Sequence, residues 1–362
     1  MSRIDINGRF LTQVMTGVQR CAIEWVMGLD RHLAADPACR ERYSFRLLTP
    51  PQVQTHLPLR HIPSLPVGHL SGQAWEQLEL PLYSRGGLLL NFCNTAPLAA
   101  RTVATIHDAS VFAVPGAYSP AFRSWYRTLL PLLGRRAQRV ITASRFSQGE
   151  LASRAHIPRS RIDVVPLGSE HILRSRADPG ILAKLSVDRG GYLLTVGSHS
   201  PHKNFAAVVA ALSRLDGVKL PLVVAGGTNP RIFDGSSKVN PVGFRAAGYV
   251  SDEELKALYQ NAACFIYPSL YEGFGLPALE ALSCGCPCVV SSAASLPEVC
   301  GEAVLYFNPH DPDDIARQIR AVLDQPATRD ELRRRGPERA RHFTWDRSTE
   351  ALLKVIESVQ PI

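Results

Sequence analysis

The chain of 362 residues has no run of about 18 apolar residues, so no membrane-spanning helix is expected. Its first ten residues already carry Arg3, Asp5 and Arg9, without an apolar core between a basic start and a cleavage site, so no secretory leader is expected. There is no CxxC pair. The eight cysteines cluster most tightly as Cys284, Cys286 and Cys288, a CxCxC spacing unlike that of structural zinc sites. Cys288 opens an apolar run, so free thiols buried in a reducing compartment are expected. A GxSxG elbow is also missing, and Thr142-Ala143-Ser144-Arg145 lacks the glycines that would expose a serine nucleophile. No zinc finger, RNA-binding signature or aromatic-basic stacking series is present, so nucleic acid is not an expected partner. No repeat or low-complexity linker divides the chain.

The residues present describe a globular protein. Apolar residues are 45% and charged residues 20%, which excludes a largely disordered chain. Lys plus Arg outnumber Asp plus Glu by 40 to 32, a balance of +8 that allows nucleotides, phosphosugars, nucleic acid or an acidic membrane face as partners without choosing among them. The length implies two domains, with three as an upper bound. Short apolar runs at 103–106, 140–142, 192–196, 220–225, 264–267 and 288–291 predict strands, several continuous rather than alternating. Strands buried on both faces of a parallel sheet read this way. Residues 206–215, 252–260 and 312–323 predict helices between them. The fold class is therefore α/β, with two doubly wound sheets. The Pro- and Gly-rich stretch 166–191 is the best candidate boundary, and the proline-rich 50–72 reads as a loop, with an acceptor-side lid as the alternative.

Three segments bring polar residues to the carboxyl ends of predicted strands, the ligand-binding edge of such sheets. The first runs Thr195-Val196-Gly197-Ser198-His199-Ser200-Pro201-His202-Lys203-Asn204 and opens a helix. Lys203 there suits a diphosphate, or is simply a solvated lysine at a helix cap. The second is Glu272-Gly273-Phe274-Gly275-Leu276, with Glu280 eight residues after Glu272. The helix-start N–H groups suit a phosphate. Glu280, in an apolar setting, needs a partner such as a ribose diol or a salt bridge. The third is Ile106-His107-Asp108, where His107 either serves chemistry or caps the next helix. Thr16-Gly17-Val18 reads as a loop opening a helix, able to face a ligand. Residues 122–139 mix aromatics with arginines and are interrupted by Pro131 and Gly134. They are either an interfacial helix on an anionic bilayer or an ordinarily packed one. Arg333, Arg334, Arg335, Arg339 and Arg341 read as a solvated helix face.

On these residues the sequence resembles the retaining glycosyltransferase family 4. Glu272 and Glu280 meet its E-x7-E motif around Gly273-Phe274-Gly275, with Tyr267-Pro268-Ser269 before and Ala281-Leu282-Ser283-Cys284-Gly285 after. Further matches are Ala247-Gly248-Tyr249-Val250, Leu296-Pro297-Glu298-Val299 and Phe343-Thr344-Trp345, with looser ones at Ile106-His107-Asp108, 143–147 and 164–168.

The resemblance implies a GT-B-like fold of two Rossmann-like domains facing a central cleft. Residues 1–170 would form the acceptor-side domain and 171–343 the nucleotide-sugar domain. Residues 344–362 would form a helix packing back on the first domain. It further implies that Glu280 holds the donor ribose, that Glu272 contacts the transferred sugar, and that Lys203 with the Gly275 and Leu276 amides stabilises the diphosphate. His107 would face the sugar near its anomeric carbon, Tyr249 and Val250 would lie by the base, and Gly17 and Gly197 would line the donor phosphates. Many relatives carry Gly-Arg after the first strand of the second domain; this chain has Gly197-Ser198, and Arg145 or His202 are the candidates to compensate.

The implied reaction is transfer of a hexose from a nucleotide sugar to a hydroxyl with retained anomeric configuration. The leaving phosphate itself can take the acceptor proton. No metal or other cofactor is expected, since positive groups can serve the diphosphate and no DxD-like pair stands beside these motifs. GDP-mannose is the preferred donor, with UDP-hexoses next. The expected acceptor is a glycan or lipid-linked glycan, at a cytoplasmic location in loose contact with the inner membrane. The rival readings are a nucleotide-sugar epimerase, a glycan phosphorylase, and a non-catalytic nucleotide-sugar-binding or assembly protein.

Overall fold

The computed structural model describes residues 1–198, 200–227 and 243–360. His199 therefore lies outside the described residues. Contacts divide the chain into two compact units, Met1–Gly168 with Trp345–Ile362, and Ser169–Thr344.

Among the described residues the first unit holds seven parallel strands. They are β1 Ser2–Asn7, β2 Tyr43–Thr49, β3 Ser64–Pro66, β4 Leu88–Asn91, β5 Thr102–Thr105, β6 Arg139–Thr142 and β7 Ile162–Val164. Their order is β3-β2-β1-β4-β5-β6-β7. Leu88, Leu89 and Leu90 are buried without residual exposure, as a continuous apolar run requires when both sheet faces are covered. One cover is the helix Gly17–Ala35, started by Thr16, whose hydroxyl accepts the Val18 N–H. This helix packs along Trp345–Val359 in the same unit. There Trp25 Nε1 donates to Ser348 Oγ at 2.8 Å, and the Trp25 ring meets Phe92 edge-on at 5.1 Å. The stretch 50–72 holds only the short β3 and is otherwise irregular. Two carboxylates pin it: Asp30 accepts the N–H groups of Arg60, His61 and Ile62, and Glu79 accepts those of His69 and Leu70.

The second unit holds six described strands, β8 Leu193–Val196, β9 Leu222–Ala225, β10 Phe244–Gly248, β11 Cys264–Tyr267, β12 Cys288–Ser291 and β13 Leu305–Phe307. All pair in parallel, in the order β10-β9-β8-β11-β12-β13. Its core joins Leu193, Val224, Cys264, Ile266 and Val289 of the sheet to Val208 of helix Phe205–Leu212 and Ile315 and Ile319 of helix Pro312–Asp324.

Both sheets are doubly wound, and each reverses its strand order at one point, between β1 and β4 and between β8 and β11. The carboxyl ends of strands flanking such a point are where open α/β sheets bind ligands.

One sequence expectation needs correction. Pro131 and Gly134 do not interrupt the basic aromatic segment, because helix Pro120–Arg136 runs through both. Leu129, Leu130 and Leu133 are buried, the last two in a core with Ala104 and Val140 of the sheet, and Gly134 sits where a Cβ would lie 2.3 Å from Ile157 Cγ1. That glycine serves a close approach rather than a break. The two units divide after Gly168, within the stretch 166–191, which also holds the helices His171–Arg174 and Gly180–Leu185, with Ser169, His171, Ile172 and Ile181 buried. The eight cysteines are all free thiols; Cys93 and Cys284 are partly buried and the other six buried.

Candidate active site

The second unit's switch point carries the Lys203 and Glu272 side chains. Lys203 follows β8 through the short turn Pro201–Lys203, and Glu272 follows β11 through an irregular loop. Lys203 Nζ donates to Glu272 Oε1 at 2.6 Å. Tyr267, the last residue of β11, donates its hydroxyl to the same oxygen at 2.7 Å, and Lys203 Nζ lies 3.3 Å from that hydroxyl. Burial works to raise the Glu272 carboxyl, but the Lys203 ammonium and the Lys203 and Tyr267 hydrogen bonds outweigh it and hold it below the ordinary carboxylate value. Burial first, and the Glu272 charge second, push the Tyr267 hydroxyl well above its ordinary value, so it stays a donor. Ser295 Oγ fixes the loop from behind, donating to the Glu272 carbonyl at 2.9 Å.

Gly275 ends this loop and caps helix Leu276–Ser283. Its φ of +96° is a left-handed conformation, and a Cβ there would lie 2.5 Å from Leu296 Cδ2. Only glycine meets both demands. Gly273, Phe274 and Leu276 are buried, with Phe274 edge-on to Phe343 at 5.8 Å.

Glu280, 7% exposed, sits within the same helix. Its partners are a histidine and a tyrosine. His171 Nε2 lies 3.0 Å from Oε1, and Tyr259 donates its hydroxyl to Oε2 at 3.2 Å. Each carboxylate oxygen keeps a lone-pair direction beyond these contacts. Gly197 and the exposed Ser198 follow β8, and the exposed Tyr249 with Val250 follows β10. These residues therefore share the strand carboxyl edge with Lys203 and Glu272.

In the first unit, His107 follows β5 and is buried. Its Nε2 lies 2.9 Å from the Phe92 carbonyl, and its N–H donates to Asn94 Oδ1. Asp108 accepts the Ser110 N–H at 2.8 Å. Burial is the main influence on His107 and outweighs both the Phe92 contact and the Asp108 charge, so the imidazole lies below its ordinary value and is neutral near pH 7. Gly17 opens helix Gly17–Ala35 in an exposed position after β1.

Sequence reasoning missed Tyr267, Tyr259 and His171, and it missed a buried polar network at the first unit's own switch point. Arg9, just after β1, donates Nε to Glu76 Oε2 at 2.8 Å and Nη2 to Thr95 Oγ1 at 2.8 Å. Asn7 Nδ2 donates to Glu76 Oε2 and to Asn91 Oδ1, each at 2.9 Å. Glu76 lies in a π-helical turn, Trp75–Glu79, a local widening common at functional sites. The one available signal was Arg9 directly after the β1 pattern.

Two doubly wound parallel sheets, with a lysine–glutamate pair at a switch point and a glycine-capped helix beside it, define a nucleotide-handling α/β enzyme of GT-B-like fold. Comparison with known proteins makes this specific. Residues 183–339 match the model of glycosyl transferases group 1, and residues 84–170 match that of glycosyltransferase family 4. O-antigen chain mannosyltransferase B of Escherichia coli is 36% identical over 261 residues, 69% of this chain and 68% of that relative. The serotype-specific mannosyltransferase WbdA of Escherichia coli is 30% identical over 270 residues, covering 68% of this chain but 32% of WbdA. Sucrose-phosphate synthase from Thermosynechococcus elongatus has the same fold, with a TM-score of 0.74 at 20% identity over 99% of both chains. The chain belongs to this glycosyltransferase family, related to the bacterial mannosyltransferases. It is a hexosyltransferase that moves a sugar from a nucleotide-sugar donor to a glycan or lipid acceptor.

Proposed function

We propose that this enzyme transfers mannose from GDP-mannose, with retention of anomeric configuration, to a hydroxyl of a growing lipid-linked glycan. The observation that carries the site is the Lys203–Glu272–Tyr267 contact at the ends of β8 and β11. The mannosyltransferase relatives favour the sugar. An ammonium has three N–H donors. Two are directed at Glu272 and Tyr267, and the third serves a donor phosphate oxygen. As the sugar–phosphate bond breaks, charge grows on the diphosphate, and Lys203 with the Gly275 and Leu276 amides favours that charge. Glu272 stays ionised and accepts hydroxyls of the transferred sugar. Glu280, oriented by His171 and Tyr259, accepts the ribose hydroxyls. Tyr249 and Val250 lie by the base, while Gly17 and Gly197 leave room for the phosphates. His107, neutral and fixed by Phe92, positions the sugar rather than removing a proton. The departing phosphate takes the acceptor proton, and Lys203 with the helix-start amides supplies the positive charge that a metal would otherwise bring to the diphosphate.

Among the described residues no helix is long and apolar enough to cross a membrane. Helix Pro120–Arg136 exposes Phe122, Trp125 and Leu132 among Arg123, Arg127, Arg135 and Arg136. This face supports peripheral contact with an anionic inner membrane, on its cytoplasmic side.

The test is to incubate the purified enzyme with GDP-mannose or a UDP-hexose and a lipid-linked oligosaccharide, following anomeric protons by NMR. A new α-mannoside from GDP-mannose, formed only with acceptor, supports the reading. A β-linked product contradicts retention, transfer from a UDP-hexose contradicts the donor, and conversion without acceptor points to an epimerase.

A further inference from the structure

The first unit holds a group of potential metal ligands that the transfer reaction does not use. His32 occupies the last turn of helix Gly17–Ala35, Asp36 links that helix to helix Pro37–Arg42, and Cys39 lies in the second helix. One ligand atom from each lies within 4.8 Å of the other two.

The chain geometry fixes Asp36. Its N–H donates to the His32 carbonyl at 2.9 Å, and its Oδ1 caps the second helix, accepting the N–H groups of Ala38 and Cys39. Its Oδ2 faces His32 Nε2 at 3.8 Å. A tetrahedral ion with bonds of about 2.0–2.3 Å holds its ligand atoms roughly 3.3–3.7 Å apart. The His–Asp pair is therefore nearly at that spacing already, and the thiol closes the remaining gap. Cys39 is 8% exposed, and all three residues line a surface cavity of about 340 Å³ with room for a water as fourth ligand.

The cavity is lined by the acidic Glu350 and Glu357 as well as by Arg42 and Lys354. Arg42 is engaged elsewhere, 3.4 Å from Glu357 and over the Tyr43 ring at 4.9 Å. The donor set of imidazole, carboxylate and thiolate is that of a borderline-soft first-row ion.

We propose that His32, Asp36 and Cys39 form a zinc site that clamps the end of the first helix to the short helix leading into β2. Helix Gly17–Ala35 runs back from the carboxyl edge of its sheet to where β2 begins. The clamp thus lies at the amino edge, at the far end of this unit from His107 and Gly17, and its role is structural.

Cobalt(II) is the probe. Titrated into the reduced, metal-free full-length protein, it should raise a near-ultraviolet thiolate-to-cobalt absorption that saturates at one equivalent and is displaced by zinc. Cys39→Ser should abolish the band. His32→Gln, at a partly exposed position, should weaken cobalt binding by at least about tenfold, since loss even of a group that only hydrogen-bonds a metal ligand costs about 10–100-fold. Zinc should raise the melting temperature of the parent protein and not that of Cys39→Ser, and leave kcat unchanged. Absence of the band, or an equal band in Cys39→Ser from another thiol, overturns the site.

Discussion

Lys203 Nζ and Glu272 Oε1 stand 2.6 Å apart although 69 residues separate them in the chain. They meet because β8 and β11 are neighbours at the switch point of the second sheet, so the loops leaving their carboxyl ends face the same space.

Lys203→Ala should lower kcat by about 10²–10³-fold, the usual cost of removing one group that stabilises developing negative charge. Its effect on donor KM should be smaller. Steady-state kinetics at varied donor concentration separates the two, and a change confined to KM would move Lys203 from transition-state to ground-state binding.

Tyr259→Phe and His171→Ala each remove one group that orients Glu280. Each should weaken GDP binding by less than about tenfold, a share of the roughly 1.5–3 kcal/mol of a hydrogen bond to a charged group. Calorimetry on both variants checks this. If either abolished binding while the fold was retained, that residue would be touching the nucleotide itself.

His107 makes stability depend on pH. Its folded value lies below the ordinary 6.5, mainly through burial, so between the two values the unfolded chain binds more protons. This contribution is complete above 6.5 and is lost as the pH falls toward the folded value. Urea midpoints from pH about 7.5 to about 5 should therefore fall less steeply in His107→Gln than in the parent. The same variant should lose transfer activity at pH about 7.5, assayed at a temperature where circular dichroism shows it folded.

Glu76→Ala leaves the Arg9 guanidinium buried without its carboxylate. The expected destabilisation is about 3–5 kcal/mol. Glu76→Gln should cost less, because the amide still accepts from Arg9 and Asn7. Urea unfolding measures both, and equal small losses would mean that Arg9 finds water or another acceptor.

The sheets were largely legible because their inner strands are continuous apolar runs. The strands read at 264–267 and 288–291 are β11 and β12, and the helices read at 252–260 and 312–323 are each extended by one residue. Among strands not read in advance, β2 alternates buried and half-buried residues around Arg46, a weaker pattern than a double-covered run. The segment around Gly134 misled because a glycine needed for close approach to Ile157 looks locally like a helix breaker. Within the site, Glu272, Gly275 and Glu280 were legible because one loop and one helix carry them. Tyr267 looked like an ordinary strand aromatic, and His171 lay in a stretch read as a boundary. Each gains its role only from a partner far along the chain.

The most direct test is isothermal titration of GDP and UDP into the parent protein and Glu280→Ala. The account predicts that GDP binds the parent in preference to UDP, and that Glu280→Ala weakens it by about 10–100-fold, one hydrogen bond to a charged group. Equal GDP affinity in the two proteins, or no nucleotide binding by the parent, would contradict it.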